Sequence, residues 1–384
     1  MRKEKQTHIA TETTEKSTRR SSLHSVISVC SDFDELSRVV ANILRLFNLA
    51  VILASLPCLT GCGHDAGVIF PTMANPPQWP APPDTPHIRY VGQLTGSKDL
   101  KPAVSGFQTL GAAVFGDAPG DYSFQTPMAV CTDGANRVFV ADSGQQVLHV
   151  LDLDARTYQR WTPTGRKFVL PVALAYDAGG HRLLVSDSGA AAIFSFTLDG
   201  KYLGEFAAGQ VKQPRGLAID PLSGRIFVVD IQLHQIVVLS PAGQVIEHLG
   251  ARGYALGQFN FPTNVAVDKL GRLYISDSLN FRVQQFSAGL DPIRQFGSQG
   301  DLPGYFATPK GVAVDPDGHL FAVDSQFQAV QVFNDQGNLL MAFGEEGAGP
   351  GQFSIPEGIF IDGHGRIWVA DSYNHRVQVF DYLP

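Results

Sequence analysis

PEGIFIDGHGRIWVADSYNHRVQVF, residues 356 to 380, holds three short apolar runs, IFI, IWVA and VQVF, parted by an Asp/Gly turn and a polar loop. Runs this short, rich in Val, Ile and Phe and bounded by Asp and Gly, read as strands, because none reaches helical length. The same order recurs upstream in PMAVCTDGANRVFVADS (127 to 143), PVALAYDAGGHRLLVSDS (171 to 188), PRGLAIDPLSGRIFVVDI (214 to 231), PTNVAVDKLGRLYISDS (262 to 278) and PKGVAVDPDGHLFAVDS (309 to 325). The six leading prolines are spaced 44, 43, 48, 47 and 47 residues apart. A fourth run usually follows and ends near Phe-Gly, as in LLMAFGEEGAGPGQFSIP.

Four consecutive strands per unit make a sheet with two apolar faces, which must pack against its neighbours, and six such units close into a ring. The fold class is therefore all-β, a six-bladed β-propeller. A helical array is excluded, since no segment shows a 3.6-residue period. The last unit stops after its third strand, at VQVFDYLP, so a segment from before Pro127 must supply the fourth. A strand near Leu110 to Phe115 is expected there, because VFGDAPGDYSFQTP (114 to 127) matches the end-of-blade pattern; IRYVGQL, Ile88 to Leu94, ranks second.

Through P-x-G-V-A-V-D, ADS-x-N-x-R-V-Q-V-F and F-G-x-x-G-x-G-x-F-x-x-P, the units resemble NHL repeats over residues 114 to 384. The resemblance is strong in units four and six (DSLNFRVQQF, DSYNHRVQVF), moderate in five (DSQFQAVQVF), and weaker in one to three, where DIQLHQIVVL has lost even the Ser. It implies a propeller, and admits as an alternative function a metal-dependent lyase or hydrolase like the peptide-amidating lyase, streptogramin lyases or gluconolactonases.

Ahead of the repeats the composition changes. Residues 1–45 are polar, and 46–62, LFNLAVILASLPCLTGC, form an apolar run too short for a comfortable membrane span but shaped like a secretory h-region. Its ending, Leu59-Thr60-Gly61-Cys62, resembles the bacterial lipoprotein signal box, which implies lipidation of Cys62 and an exported, membrane-anchored protein of the cell envelope, in the periplasm or on the outer surface. The h-region then lies far from Met1, and translation is expected to begin nearer to it, at Val39 or Val40. Residues 63–87 are proline-rich and read as a semi-extended spacer before a propeller spanning 88–384. Of four cysteines only Cys131 would remain in the mature body, so no disulfide is expected within it.

Net charge is -7, and the first 45 residues hold 8 basic against 6 acidic groups, so the rest is more negative still. Such a surface repels nucleic acid. The recurring acids Asp142, Asp187, Asp230, Asp277, Asp324 and Asp371 stand at strand ends, and six copies around a ring cannot share one reaction centre. They read as turn scaffold, as do Asp133, Asp177, Asp220, Asp268, Asp315 and Asp362 before the Gly-bearing turns.

Function belongs where the repeats differ. With the first strand of each blade running down the channel, the leading prolines, the DS-x-N-x-R loops and the Phe-Gly to Pro connections share an upper face. There Arg215, His234, Asn264, Phe281, Lys310, Phe327, Glu357, Tyr373 and His375 offer cations, amides and aromatics suited to a protein or glycan partner. No catalytic residue is assigned, and no metal ligand set or cofactor: His234 and His375 fall in opposed blades, and no H-E-x-x-H, G-x-S-x-G or C-x-x-C-H motif occurs. Zinc or calcium belongs only to the alternative.

Overall fold

The computed structural model describes residues 65–103 and 121–383, nearly all of them in one compact unit, 66–102 with 119–384. The polar extension, the h-region, Cys62 and the Leu110–Phe115 strand lie outside the described residues.

Blades one to five are four-stranded antiparallel meanders, and blade six is five-stranded, with its two outer strands drawn from residues ahead of blade one. Blade one runs through Pro127–Thr132, Arg137–Asp142, Val147–Asp152 and Thr157–Trp161. The innermost strands of the others are Pro171–Asp177, Pro214–Ile219, Pro262–Val267, Pro309–Val314 and Pro356–Ile361, so every leading proline opens a blade. Consecutive innermost strands are neighbours and the last meets the first, which closes a six-bladed ring. No α-helix occurs among the described residues.

Burial follows from this stacking. The middle of each sheet faces a blade on both sides, so strands such as Ile226–Asp230 and Leu320–Asp324 are buried throughout. The outermost strands, such as Val245–Leu249, are largely exposed. Six hydrophobic clusters fill the six gaps between blades; the one between blades one and two joins Phe139, Leu148 and Trp161 to Phe168, Phe194 and Phe196. Under each Phe-Gly to Pro connection, the residue three before the proline is sunk into such a gap: Phe124, Phe168, Val211, Phe259, Phe306 and Phe353 are all buried.

At the channel the innermost strands crowd together. A Cβ on Gly216 would lie 2.5 Å from the Cα of Asn264, and one on Gly358 would lie 2.6 Å from the Met128 carbonyl oxygen. The glycine of P-x-G is therefore the residue that lets neighbouring backbones meet.

Two expectations are corrected. Blade six is closed by Ile88–Leu94, the segment ranked second, which pairs with Arg376–Tyr382 in the register Ile88↔Tyr382, Tyr90↔Phe380 and Leu94↔Val377. Its alternating pattern buries Ile88, Tyr90 and Leu94, as an outer strand over a filled gap requires. The end-of-blade pattern is nonetheless present, split by an insertion: the Phe124 amide donates to the Thr95 carbonyl at 2.7 Å, as Phe259 donates to Ala251 at 2.9 Å and Phe353 to Glu345 at 2.8 Å.

The proline-rich stretch does not form a free spacer. Ile69 and Phe70 pack against the cluster between blades six and one. Gln78–Trp79 adds a fifth strand outside Ile88–Leu94, with the Trp79 ring 5.8 Å from Phe343 and 5.9 Å from Phe380. Arg156 ties this strap down by donating to the carbonyls of Gly67 and Leu100, each at 2.9 Å.

Candidate functional site

The recurring aspartates close the loops of the upper face. Asp187 accepts the amides of Val169, Leu170 and Ala190 at 2.7, 2.8 and 2.9 Å, and Asp324 accepts those of Ala307, Thr308, Gln326 and Phe327 at 2.7 to 3.1 Å. All six are fully buried. The serine that follows staples its blade to the next: Ser143 donates to the Pro171 carbonyl at 2.5 Å, Ser325 to Pro356 at 2.5 Å, and Ser372 to Pro127 at 2.6 Å across the seam. Ser188 and Ser278 make the same bond to Pro214 and Pro309.

The fourth residue after each loop aspartate is held in a left-handed turn. Gln146, Ala191, His234, Phe281, Gln328 and His375 have φ between 52° and 56°. Several reach into the loop of the next blade. Nδ1 of His234 accepts the Phe261 amide at 3.0 Å, the Gln328 side chain accepts the Ile355 amide at 2.6 Å, and His375 meets the Gln125 carbonyl. Burial, with Arg252 nearby, holds the His234 imidazole below its ordinary pKa, in keeping with an Nδ1 that accepts. Both histidines are thus occupied in joining blades. Phe281 and Phe327 are half-buried, Phe281 against the core between blades four and five. Asn264 lines the channel and accepts the Val265 amide through its own Oδ1 at 2.8 Å. Tyr373 is 63 % exposed and stands free on the face.

Three of the remaining residues come together at the channel mouth. Arg215 of blade three reaches across to Glu357 of blade six, Nη2 to Oε2 at 3.0 Å, and Lys310 of blade five places Nζ 3.4 Å from Oε1 of the same carboxylate. Blades three and six oppose each other in the ring, so this ion pair spans the channel. The other entry positions, Met128, Val172 and Thr263, carry no charge. One anion therefore serves two cations, and their side chains are only 14 to 21 % exposed.

Below this bar the channel is a neutral cavity of about 260 Å³, lined by the lower halves of the innermost strands. It includes Cys131, whose thiol burial pushes up, so it stays protonated at neutral pH and is no nucleophile.

On the lower face the second set of aspartates folds the tight turns. Asp133, Asp177 and Asp268 pair with Arg137, Arg182 and Arg272 at 2.5, 2.7 and 2.6 Å. The arginines of blades one to three also donate to the next blade, to the carbonyls of Leu198, Pro241 and Ala288. Asp315, Asp317 and His319 are the one group with metal-ligand spacing among the described residues, their ligand atoms within 4.8 Å of one another. Asp315 is already committed, accepting the amides of Asp317 and His319 and facing His319 Nδ1 at 2.8 Å.

With this geometry in hand the chain can be set beside known proteins. The family model described as NHL repeat matches residues 259–286 and 353–380, in blades four and six. A curated relative, protein brain tumor of Drosophila melanogaster, is 27% identical over 131 residues, 33% of this chain and 12% of its own length, so the chain spans about an eighth of that protein. Among solved structures, virginiamycin B lyase from Staphylococcus aureus aligns with a TM-score of 0.50 at 16% identity, covering 67% of this chain and 96% of its own. A gluconolactonase from Xanthomonas campestris aligns with 0.55 at 15%, covering 83% and 99%. An auxiliary nutrient binding protein from Bacteroides ovatus aligns with 0.54 at 12%, covering 67% and 69%. At these identities the solved structures share the fold.

Proposed function

Taking the chain as an NHL-repeat six-bladed β-propeller, we propose that it is a lipid-anchored binding module of the bacterial cell envelope that holds a protein or glycan partner on its upper face. The observation that carries this reading is the bar across the channel mouth. Arg215, Lys310 and Glu357 come from three blades and, among the described residues, their side chains pair only with one another, whereas the aspartates, serines and histidines around them are spent on holding loops and joining blades. Exposed Tyr254, Phe261, Leu279, Leu302 and Tyr373 on the same face add apolar area, in keeping with an interface whose anchors are aromatic and arginine side chains. A binding role is also the one named for the Bacteroides ovatus protein that shares the fold.

Lipidation at Cys62 would hold this module close to its membrane. The strap is docked from Gly67, whose amide donates to the Lys101 carbonyl at 2.9 Å. Four or five residues extend at most about 18 Å, so the seam between blades six and one would sit near the lipid surface. Replacing Cys62 by Ser should release the protein from washed membranes.

Charge reversal tests the face. Arg215→Glu with Lys310→Glu should cut partner capture from a crosslinked envelope fraction at least tenfold in protein that circular dichroism shows to be folded, with some loss of melting temperature because two new carboxylates then face Glu357. Undiminished capture would remove the upper face from the proposal. Stoichiometric, tightly held zinc or calcium in the purified protein would instead favour a metal-dependent lyase or hydrolase.

A further inference from the structure

We infer that Glu357 is a built-in occupant of a carboxylate-binding site formed by Arg215 and Lys310, and that the partner anchors itself by inserting an acidic side chain or terminal carboxylate in its place. This inference rests on the upper face being the binding face.

Its basis is how incompletely the bar satisfies itself. Arg215 carries five N–H donors and, among the described residues, makes one hydrogen bond, to Glu357. Lys310 stands 3.4 Å from the same carboxylate, beyond the usual N–H···O length of about 2.7–3.2 Å. One anion between two cations leaves a net positive charge, and no other acid faces the mouth from the remaining innermost strands, whose entry residues are Met128, Val172 and Thr263. The two cationic side chains are mostly shielded from solvent, which strengthens their attraction for a carboxylate that displaces Glu357. Arginine's planar fork matches two carboxylate oxygens, and an incoming acid could use the donors that Glu357 leaves idle.

The body of the protein is acidic overall, so a cationic spot at the centre of one face is a local inversion of charge. It selects a partner that presents one acid among apolar residues, not a broadly acidic surface. The apolar rim of Phe261, Leu279 and Tyr373 suits the flanking residues. The neutral cavity below offers no competing charge.

The test is isothermal titration of the full chain with two capped peptides, N-acetyl-Leu-Asp-Phe-amide and its Asn counterpart. Glu357→Gln should bind the Asp peptide at least tenfold more tightly than the unaltered protein does, because the internal competitor is gone while a hydrogen-bond acceptor for Arg215 remains. Arg215→Gln and Lys310→Gln, separately, should erase the preference for Asp over Asn, and they keep the question open to measurement should Glu357→Gln fail to fold. Equal affinity of Glu357→Gln and the unaltered protein overturns the inference, as does an Asp preference that survives both cation variants. Inorganic phosphate displacing the Asp peptide at equal concentration would overturn the carboxylate in favour of any oxyanion. If charge reversal abolishes envelope capture yet the peptides show no Asp preference, the binding face stands and only this inference falls; if capture is also unchanged, the proposed function falls with it.

Discussion

Blades six and three stand opposite each other and are built on the same buried aspartate, yet its surroundings differ. In blade six, Asp371 accepts the Ser354 amide at 2.8 Å and three side-chain donors, Asn374 at 2.9, Arg376 at 2.7 and Gln378 at 2.9 Å. In blade three, Asp230 receives only the amides of Lys212, Gln213 and Leu233. The difference tracks the loop each aspartate must hold. Arg376 also donates to the carbonyls of Ala348, Gly349 and Gln352 in the long connection 344–355, whereas the connection before Pro214 is short. Blade four repeats the arrangement of blade six, with Arg282 donating to Ala255 and Gln258. The polar run that looks most like a catalytic cluster is thus a loop tie in blades four and six, whereas blade five, with a connection of the same length (297–308) and Ala329 in place of the arginine, holds its loop through Gln331, which donates to the Tyr305 carbonyl at 2.7 Å. The repeat model matches in the two blades that keep the tie.

The strongest way to break this comparison is to cut the tie. Arg376→Met would leave the fully buried Asp371 charge without a counter-ion and several loop carbonyls without donors, at a cost of about 3–5 kcal/mol. Gln235→Met, the corresponding position in blade three, should cost less than about 1 kcal/mol. Urea unfolding measures both, and equal losses would show that the run does not act as a loop tie. Backbone hydrogen exchange in residues 344–355 should rise in Arg376→Met ahead of global unfolding.

A second difference sharpens the comparison at the rim. Blade three ends in Val245–Leu249, mostly exposed, while blade six is covered by Ile88–Leu94 and then by Gln78–Trp79. Trp79→Ala should therefore cost about 2 kcal/mol, roughly half the price of a fully buried Trp, because its ring is half-buried between Phe343 and Phe380. Ile246→Ala on blade three, 55% exposed, should fall below about 0.5 kcal/mol. Chemical unfolding that finds the two alike would mean that the strap adds no closure.

Much of this was legible in the residues. Strands, blade count and the scaffold role of the aspartates follow from short apolar runs between Asp/Gly turns, a local signal that survives drift in blades one to three. Strand closure did not follow, because pairing across the seam joins residues nearly three hundred positions apart, and the insertion between Gly96 and Ser123 splits the pattern that marks the ends of blades three, four and five. The docked strap was hidden in the same way: its prolines signal extension, while its attachment depends on Ile69, Phe70 and Trp79 finding gaps built by distant blades. At the upper face the entry positions Arg215, Lys310 and Glu357 could be placed at the mouth, but their convergence depends on side chains crossing the ring. His234 and His375 share a loop position with Gln, Ala and Phe, and that variety was the available sign that the position serves a turn.

A smaller effect than that of Arg376 or Trp79 is expected in blade one, which carries a third version of the same network. His149 takes the place of Gln378, its Nε2 3.1 Å from Asp142 and its Nδ1 2.5 Å from the Tyr158 hydroxyl. Burial works against the Asp142 carboxylate, but hydrogen bonds from His149 and from the amides of Gln125, Gln145 and Thr126 outweigh it and hold its pKa below the usual carboxylate value. A folded pKa below the unfolded one gives stability that is present in full above the unfolded value of about 4 and is lost as pH falls through the folded value. Urea midpoints between pH 3 and 7 should therefore show Asp142→Asn less stable at neutral pH, with the gap to the unaltered protein narrowing as pH drops below about 4. His149→Gln, which installs the side chain of blade six, should keep the acid-side decline and cost little more than about 1 kcal/mol, much of it from the Tyr158 contact. A gap that stays constant on acidification would mean that Asp142 contributes through shape and hydrogen-bond count alone, and that its charge, unlike that of Asp371, is not part of how blade one is held.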